Sequence, residues 1–402
     1  MDFGESDEIA ALRASVLRLI EREIEPAIGA FERAGAFPRS IVEKMGAAGL
    51  FGAAFPERLG GSASGFAAVA AIAETLSRRR PEFGYLMNMQ AMTCPFTIFN
   101  WGTDEQAERF VPNVIQGRRL GMFALTEPGG GSDPASAMQT RARRDGEVYR
   151  LSGAKTFITM ADVADVGVVF AKTDPDAGHR GITAFIVEPL GQPGYRADPI
   201  AMPGLAPTFR SCAVSFDEVA VPAANRLGAE GEGFKIAMNA LDYGRLTVAA
   251  RLTGLAQGCF EAATAYANQR VIGGQAIARY QMVQQGIADM AVEIEAARLL
   301  VAKLAWTMDQ GAPATRAAAH AKYFAQTVAN RAARTAAEVF GGYALTDAYP
   351  IQKLAAYVAV LTAGEGTANV QRVLIAEDAL GLKDANRHPV RNRLIRPANT
   401  SS

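Results

Sequence analysis

Apolar residues recur three and four apart from residue 6 to residue 121, as in Ile9, Leu12, Val16, Leu17 and Ile20, which predicts amphipathic helices. Two helix starts carry a capping pattern, Ser40 with Glu43 and Thr103 with Gln106. Gly60, Gly61 and Ser62 read as a loop between helices. From residue 122 to 232 the rhythm changes. Short apolar runs at 148–151, 157–158, 166–170, 182–187 and 213–216 are separated by Gly, Pro and Asp clusters, the mark of strands. With no helical pattern between them, they suit a small β-barrel or sandwich better than a parallel βαβ sheet. Helical patterns return at 234–269, 279–310, 313–340, 350–363 and 367–380, rich in Ala and Leu, as in a helical bundle. After Gly381 come Lys383, Arg387, Arg391, Arg393 and Arg396, a charge run that reads as a solvated tail or as a strap onto a neighbouring subunit. The expected fold is mainly α with a middle β domain. Its parts are an all-α domain at 1–121, a β domain at 122–232, a helical bundle at 233–381 and a basic tail at 382–402.

Composition narrows the classes. The 402 residues carry 41 basic and 41 acidic side chains, so no overall field attracts polyanions, and nucleic acid is not an expected partner. A hydrophobic content of 49% against 20% charged excludes global disorder. Cys94, Cys212 and Cys259 are too few and too scattered for a disulfide framework, which fits a reducing compartment. The acidic, mixed N-terminus does not read as a signal peptide, and no apolar run reaches the length of a membrane span. A cytoplasmic location is expected.

Several site types are missing from the sequence. His179, His320 and His388 sit in no metal-ligand pattern, so no metal is expected. Gly129 to Pro134 lacks the last glycine of a dinucleotide fingerprint, Gly153 to Thr156 lacks the Gly-Lys pair of a phosphate loop, and no nucleophile elbow is present. What remains is the segment 123–136, an apolar strand that breaks into a Gly-rich turn. Its successive amides, with Thr126 and Ser132, can face a polar ligand.

That segment, with Thr126, Glu127, Gly130, Gly131, Ser132, Asp133 and Ser136 at their spacings, resembles the first signature of the acyl-CoA dehydrogenase family. The segment 151–159, with Lys155, Phe157 and Thr159, resembles the family's "NGxKxWIT" strand pair, with Phe157 in place of the usual Trp. Glu338, Gly341 and Gly342, with Lys353 downstream, are similar to the second signature, although Glu338 replaces a Gln and Ala344 a glycine. Arg270 and Gln281 match residues that reach across to a neighbouring subunit's cofactor, and Gly273 stands where an aromatic is usual. The segment 363–372 resembles "YEGTxxxQR", whose Glu, here Glu365, is the catalytic base in most members. Some branches take the base from the residue before an Arg; here that Arg is Arg245 and its predecessor is Gly244, which favours Glu365.

The resemblance covers nearly the whole chain and implies the α–β–α three-domain architecture and an FAD cofactor. It implies cofactor contacts from Phe123, Leu125, Thr126, Ser132, Phe157, Thr159, Thr367 and Asn369, with Arg270, Gln281, Glu338, Gly341 and Gly342 contributing around a subunit boundary. It places Ser132, Asp242, Arg245, Gly364 and Gly366 at the substrate. The implied reaction is α,β-dehydrogenation of an acyl thioester, with Glu365 taking the α-proton and flavin N5 the β-hydride. The implied partners are acyl-CoA or an acyl-carrier thioester, an electron-transfer flavoprotein as acceptor, and further copies of the chain, a homotetramer by default. Gly364, where an aromatic is usual, enlarges the acyl pocket and favours a branched, cyclic or otherwise unusual acyl group. An oxygen-using oxidase on the same fold and a non-catalytic flavin or acyl-binding protein are the competing readings.

Overall fold

The computed structural model describes residues 4–203, 205–384 and 386–395. Arg396 of the basic tail lies outside them. Helices come first: α1 (Asp7–Leu19), α2 (Glu25–Ala34), α3 (Arg39–Ala47), α4 (Gly65–Arg79), α5 (Pro81–Leu86), α6 (Pro95–Trp101) and α7 (Asp104–Ile115). A π-helical stretch, Met87–Thr93, bridges α5 and α6. The middle strands are β1 (Gly121–Ala124), β2 (Arg141–Asp145), β3 (Val148–Thr159), β4 (Val166–Lys172), β5 (Ile182–Val187), β6 (Tyr195–Pro199), β7 (Ser211–Pro222) and β8 (Arg226–Leu227), with a one-turn helix α8 (Pro134–Ala137) between β1 and β2. Then come α9 (Gly233–Gln269), a two-stranded ribbon β9 (Val271–Ile272) and β10 (Gln275–Ala276), and helices α10 (Gln281–Asp309), α11 (Thr315–Phe340), α12 (Ile351–Ala363) and α13 (Ala368–Ala379).

The strands join into one eight-stranded sheet in the order β6-β7-β3-β2-β4-β5-β8, with β1 parallel to β4. Alternation along β7, buried at Cys212, Val214 and Phe216, puts one face of the sheet into a cluster with Tyr149, Leu151 and Phe185. The opposite residues of β4, Val168 and Phe170, join the helical core instead. The strands expected here form one hydrogen-bonded sheet that encloses a core of its own residues on one face and meets the helices on the other.

The longest element is the spine. Helix α9 has 37 residues, about 55 Å at 1.5 Å per residue, and packs on α4, α10, α11 and α12. Its contact with α4 is made at Gly254 and Gly258. A Cβ at Gly254 would stand 2.2 Å from the carbonyl oxygen of Glu74, and one at Gly258 would stand 2.7 Å from that of Arg78. The absent side chains let two backbones touch.

Two sequence expectations fail locally. Thr103 and Gln106 form their capping box, with reciprocal bonds of 3.1 and 3.0 Å. Ser40 does not cap, because α3 already starts at Arg39 behind Pro38, leaving Ser40 inside the first turn. The basic tail is only partly solvated: Lys383, Arg387 and Arg391 are exposed, but the backbone around Arg391 and the Arg393 side chain are packed. Arg393 donates to the carbonyls of Phe99 and Gly102 at 2.8 Å, Arg391 stacks 4.6 Å over Trp101, and the Arg391 carbonyl accepts from Asn100 and Tyr243. The tail straps the N-terminal helices to α9 within one chain.

Overpacking a close contact costs about 1–3 kcal/mol or more. Gly254→Ala, the smallest addition possible, is expected to lower the melting temperature by several degrees, while Gly342→Ala, with no left-handed φ and nothing near the added carbon, leaves it unchanged. Differential scanning calorimetry checks this. An unchanged melting temperature for Gly254→Ala contradicts it.

Candidate active site

The loop between α12 and α13 aims a carboxylate inward. Glu365 has φ +56° and Gly366 φ +89°, two successive left-handed residues, the first a conformation that costs a side chain about 1–3 kcal/mol. Three donors hold the strain. Arg245 Nε and Gln371 Nε2 donate to the Glu365 carbonyl at 3.2 and 3.3 Å, and Lys322 Nζ donates to the Gly366 carbonyl at 2.7 Å. Thr367 then caps α13 by accepting from the Val370 amide. The result is a fixed turn whose backbone is partly exposed while its acidic group is buried.

That acidic group lies against Gly244 of α9: a Cβ there would stand 2.9 Å from the Glu365 carboxyl carbon. The missing side chain is the space the carboxylate occupies. Asn88 Nδ2 donates to Oε1 at 2.7 Å, while Oε2 is buried with no partner. Asn88 is held in turn by Thr247 Oγ1, which donates to its Oδ1 at 2.9 Å. Burial raises the Glu365 pKa, and the hydrogen bond from Asn88 and the charges of Arg245, Lys322 and Arg251 only partly offset this. A buried carboxyl with one free oxygen and a raised pKa is chemically suited to taking up a proton.

The remaining expected substrate residues divide. Asp242 is buried, and its oxygens are taken by Arg245 at 2.7 Å, Thr315 at 2.6 Å and His388 at 2.9 Å. It therefore orients Arg245 and does not face a ligand, a correction to its expected substrate role. Arg245 is equally buried and clamps the loop backbone. Gly364 caps α12, exposed, with its nearest neighbour 3.9 Å from a built Cβ, and Gly366 is the clamped turn residue. Ser132 is exposed on the Gly-rich turn.

The two strand motifs meet. The Thr156 amide donates to the Thr126 carbonyl at 2.9 Å, and Lys155 and Glu127 form a fully buried ion pair at 2.8 Å. Burial pulls the Lys155 ammonium down to about 8, against the opposing pull of Glu127. For Glu127, burial pushes the pKa up, but Lys155 and the bonds from Thr140 and Gln139 prevail and hold it low. Both groups are therefore charged at neutral pH, and the pair pins the turn. Beside it Phe157 is 60% exposed on a left-handed backbone, φ +56°, with Thr126 and Thr159 half-buried nearby along the strand edge. Phe123 and Leu125 pack toward the helical core. An exposed, strained aromatic beside hydroxyls and a Gly-rich turn fits a planar, polar-edged group such as a flavin.

Sequence reading missed Asn88, Thr247 and Lys322. The π-helical stretch that carries Asn88 also presents Gln90, which accepts from the Gly121 amide at 2.7 Å. One short segment thus holds both the Glu365 carboxylate and the start of the strand that leads to Thr126.

A third group lies elsewhere. Arg270, Gln281, Glu338, Gly341 and Gly342 are all exposed, with the Arg270 guanidinium 5.7 Å over Tyr343 and Glu338 paired with Arg334. Arg245 and Arg270 are 25 residues apart on α9, about 37 Å. Asn369 is exposed on α13, where its Oδ1 accepts from Arg372 at 2.8 Å.

Comparison with known proteins agrees with this geometry. Models of the acyl-CoA dehydrogenase N-terminal, middle and C-terminal domains match residues 6–118, 122–219 and 231–380. An acyl-CoA dehydrogenase of Bacillus subtilis (strain 168) is 37% identical over 376 residues, 94% of this chain and 99% of the relative. Butyryl-CoA dehydrogenase from Megasphaera elsdenii superposes with a TM-score of 0.90 at 34% identity, over 94% of this chain and 100% of that one. A chain from the structural study of the electron-transferring flavoprotein of Acidaminococcus fermentans gives a TM-score of 0.91 at 37% identity, over 94% and 100%. With all three domains matched in order, the chain belongs to the acyl-CoA dehydrogenase family of FAD-dependent enzymes.

Proposed function

We propose that Glu365 is the general base of an acyl-CoA α,β-dehydrogenation, removing the proton on the carbon next to the thioester carbonyl. The observation that carries this reading is the buried carboxylate with one oxygen held by Asn88 and the other unpartnered. The Glu365 backbone N–H, turned by the left-handed loop, polarises the thioester carbonyl and lowers the cost of the developing negative charge. The Asp242–Arg245 pair and Lys322 keep the loop from moving as the proton transfers. FAD, when bound, supplies the acceptor for the β-hydride that no side chain can provide. Thr126, Ser132, Phe157, Thr159, Thr367 and Asn369 would hold it.

The same reading extends to assembly and to the electron acceptor. Arg270 caps α9 about 37 Å along the helix from Arg245, and Tyr343, next to Gly341 and Gly342, lies at that same end; this distance from Glu365 supports Arg270, Gln281, Gly341 and Gly342 reaching the cofactor of a second copy. Helix α10 leaves Val292, Leu299 and Trp306 uncovered at seven-residue spacing, one apolar stripe. A homo-oligomer, a tetramer by default, covers it. Similarity to a chain studied with an electron-transferring flavoprotein supports such a flavoprotein as acceptor.

Three outcomes follow. Glu365→Gln retains FAD and its yellow colour, while acyl-CoA no longer bleaches the flavin under anaerobic conditions; bleaching at the wild-type rate contradicts the assignment. A base with a raised pKa works as the anion, so the rate of flavin reduction falls as pH drops through that pKa. Asn88→Ala removes a bond that favours the anion and shifts this fall to higher pH in stopped-flow profiles; an unmoved profile contradicts the role of Asn88. Sedimentation velocity gives a mass that is a multiple of the chain, and a monomer at micromolar concentration contradicts the proposed assembly.

A further inference from the structure

The face of α9 that receives Glu365 continues past the base. Gly244, Thr247 and Arg251 lie on it at i, i+3 and i+7, and the opposing wall is the segment 84–88. At one level stand Gly244, Thr247, Asn88 and the Glu365 carboxylate. Two turns along α9, about 10 Å, stands Arg251. Gly84 makes room for it: a Cβ there would be 3.1 Å from Arg251 Nε and 2.3 Å from Ser77 Oγ. The guanidinium carbon lies 4.3 Å over the Tyr85 ring.

Arg251 is a buried cation without a counter-ion. The residue is 2% exposed, Nε and Nη2 are buried with no hydrogen-bond partner, and among the described residues no ion pair includes it. The carboxylate of Glu82 pairs through Oε1 with Arg80 at 2.5 Å and Lys353 at 3.2 Å, its Oε2 is buried without a partner, and it is not among the charges acting on Arg251. Tyr85 Oη and Ser77 Oγ are also buried and unpartnered. Arg251, Tyr85 and Ser77 each bring an N–H or O–H to donate, and the two hydroxyls, which can also accept, carry no charge. What the guanidinium lacks is a paired negative charge, which a carboxylate would supply. Desolvation pulls the Arg251 pKa down to about 10, still charged at neutral pH, and its field reaches Glu365.

We propose that Arg251, with Tyr85 and Ser77, binds a carboxylate at the far end of a short acyl chain whose α-carbon lies at Glu365, so that the substrate class is the monothioester of a short dicarboxylic acid. This rests on the reading of Glu365 as the base. The distal carboxylate takes no part in the bond changes; it neutralises Arg251 and fixes how deep the chain enters.

The test uses the FAD-loaded protein with two series of CoA thioesters, four to six carbons long, one ending in methyl and one in carboxylate. The expected result is a kcat/KM at least about tenfold higher for the carboxylate series, a preference lost in Arg251→Met and partly kept in Arg251→Lys. Calorimetric Kd values in the Glu365→Gln background read the same discrimination without turnover. They show the preference even if Glu365 proves not to be the base, and Arg251→Met removes it. An equal or better wild-type response to the methyl series overturns the proposal. So does an Arg251→Met variant that weakens both series alike, which would mark Arg251 as electrostatic support for Glu365 only.

Discussion

A carboxyl group forced out of water next to a residue that has no side chain is the constraint on which the site depends. A side chain at residue 244 would start 2.9 Å from the Glu365 carboxyl carbon, so the carboxylate would have to shift to admit it. Were the loop carbonyls not clamped by Arg245, Gln371 and Lys322, the left-handed turn would relax and the acid would swing outward. Burial then does the chemical tuning. It penalises the anion, and one bond from Asn88 with three nearby cations stops the penalty from silencing the group.

The architecture explains how distant segments are held to that point. Helix α9 carries Asp242, Gly244, Arg245, Thr247 and Arg251 on one continuous element, so their spacing follows from helical geometry. The π-helical stretch couples Glu365 to the sheet, Asn88 on one side and Gln90 on the other. The C-terminal strap closes the system through His388, which meets Asp242, and through Arg393, which ties down the end of α6. The Gly-rich turn of the sheet and the Glu365 loop are thereby referred to one frame.

Much of this was legible in the sequence where local pattern decides the outcome. The change from helical to strand rhythm and the long Ala-rich helices are local, and the α–β–α order they imply is the order of the fold. The turn motif and the motif around Lys155 each read as chemistry, but their buried ion pair did not, because it joins residues 28 apart across two strands. Ser40 misled because Pro38 sets the start of α3 first. The basic tail misled because its partners are backbone carbonyls nearly three hundred residues away, which no charge pattern reveals. Asn88 and Arg251 gave no signal, since an Asn in an irregular helical turn and an Arg in a long helix look like surface residues until burial is known.

Burial of the Glu365 carboxyl raises its pKa above the ordinary glutamate value. Difference infrared spectroscopy of the FAD-loaded protein against Glu365→Gln isolates the carboxyl stretch of this one residue across a pH titration. The account predicts a midpoint above the ordinary glutamate value of about 4.3. A midpoint at or below that value would contradict it.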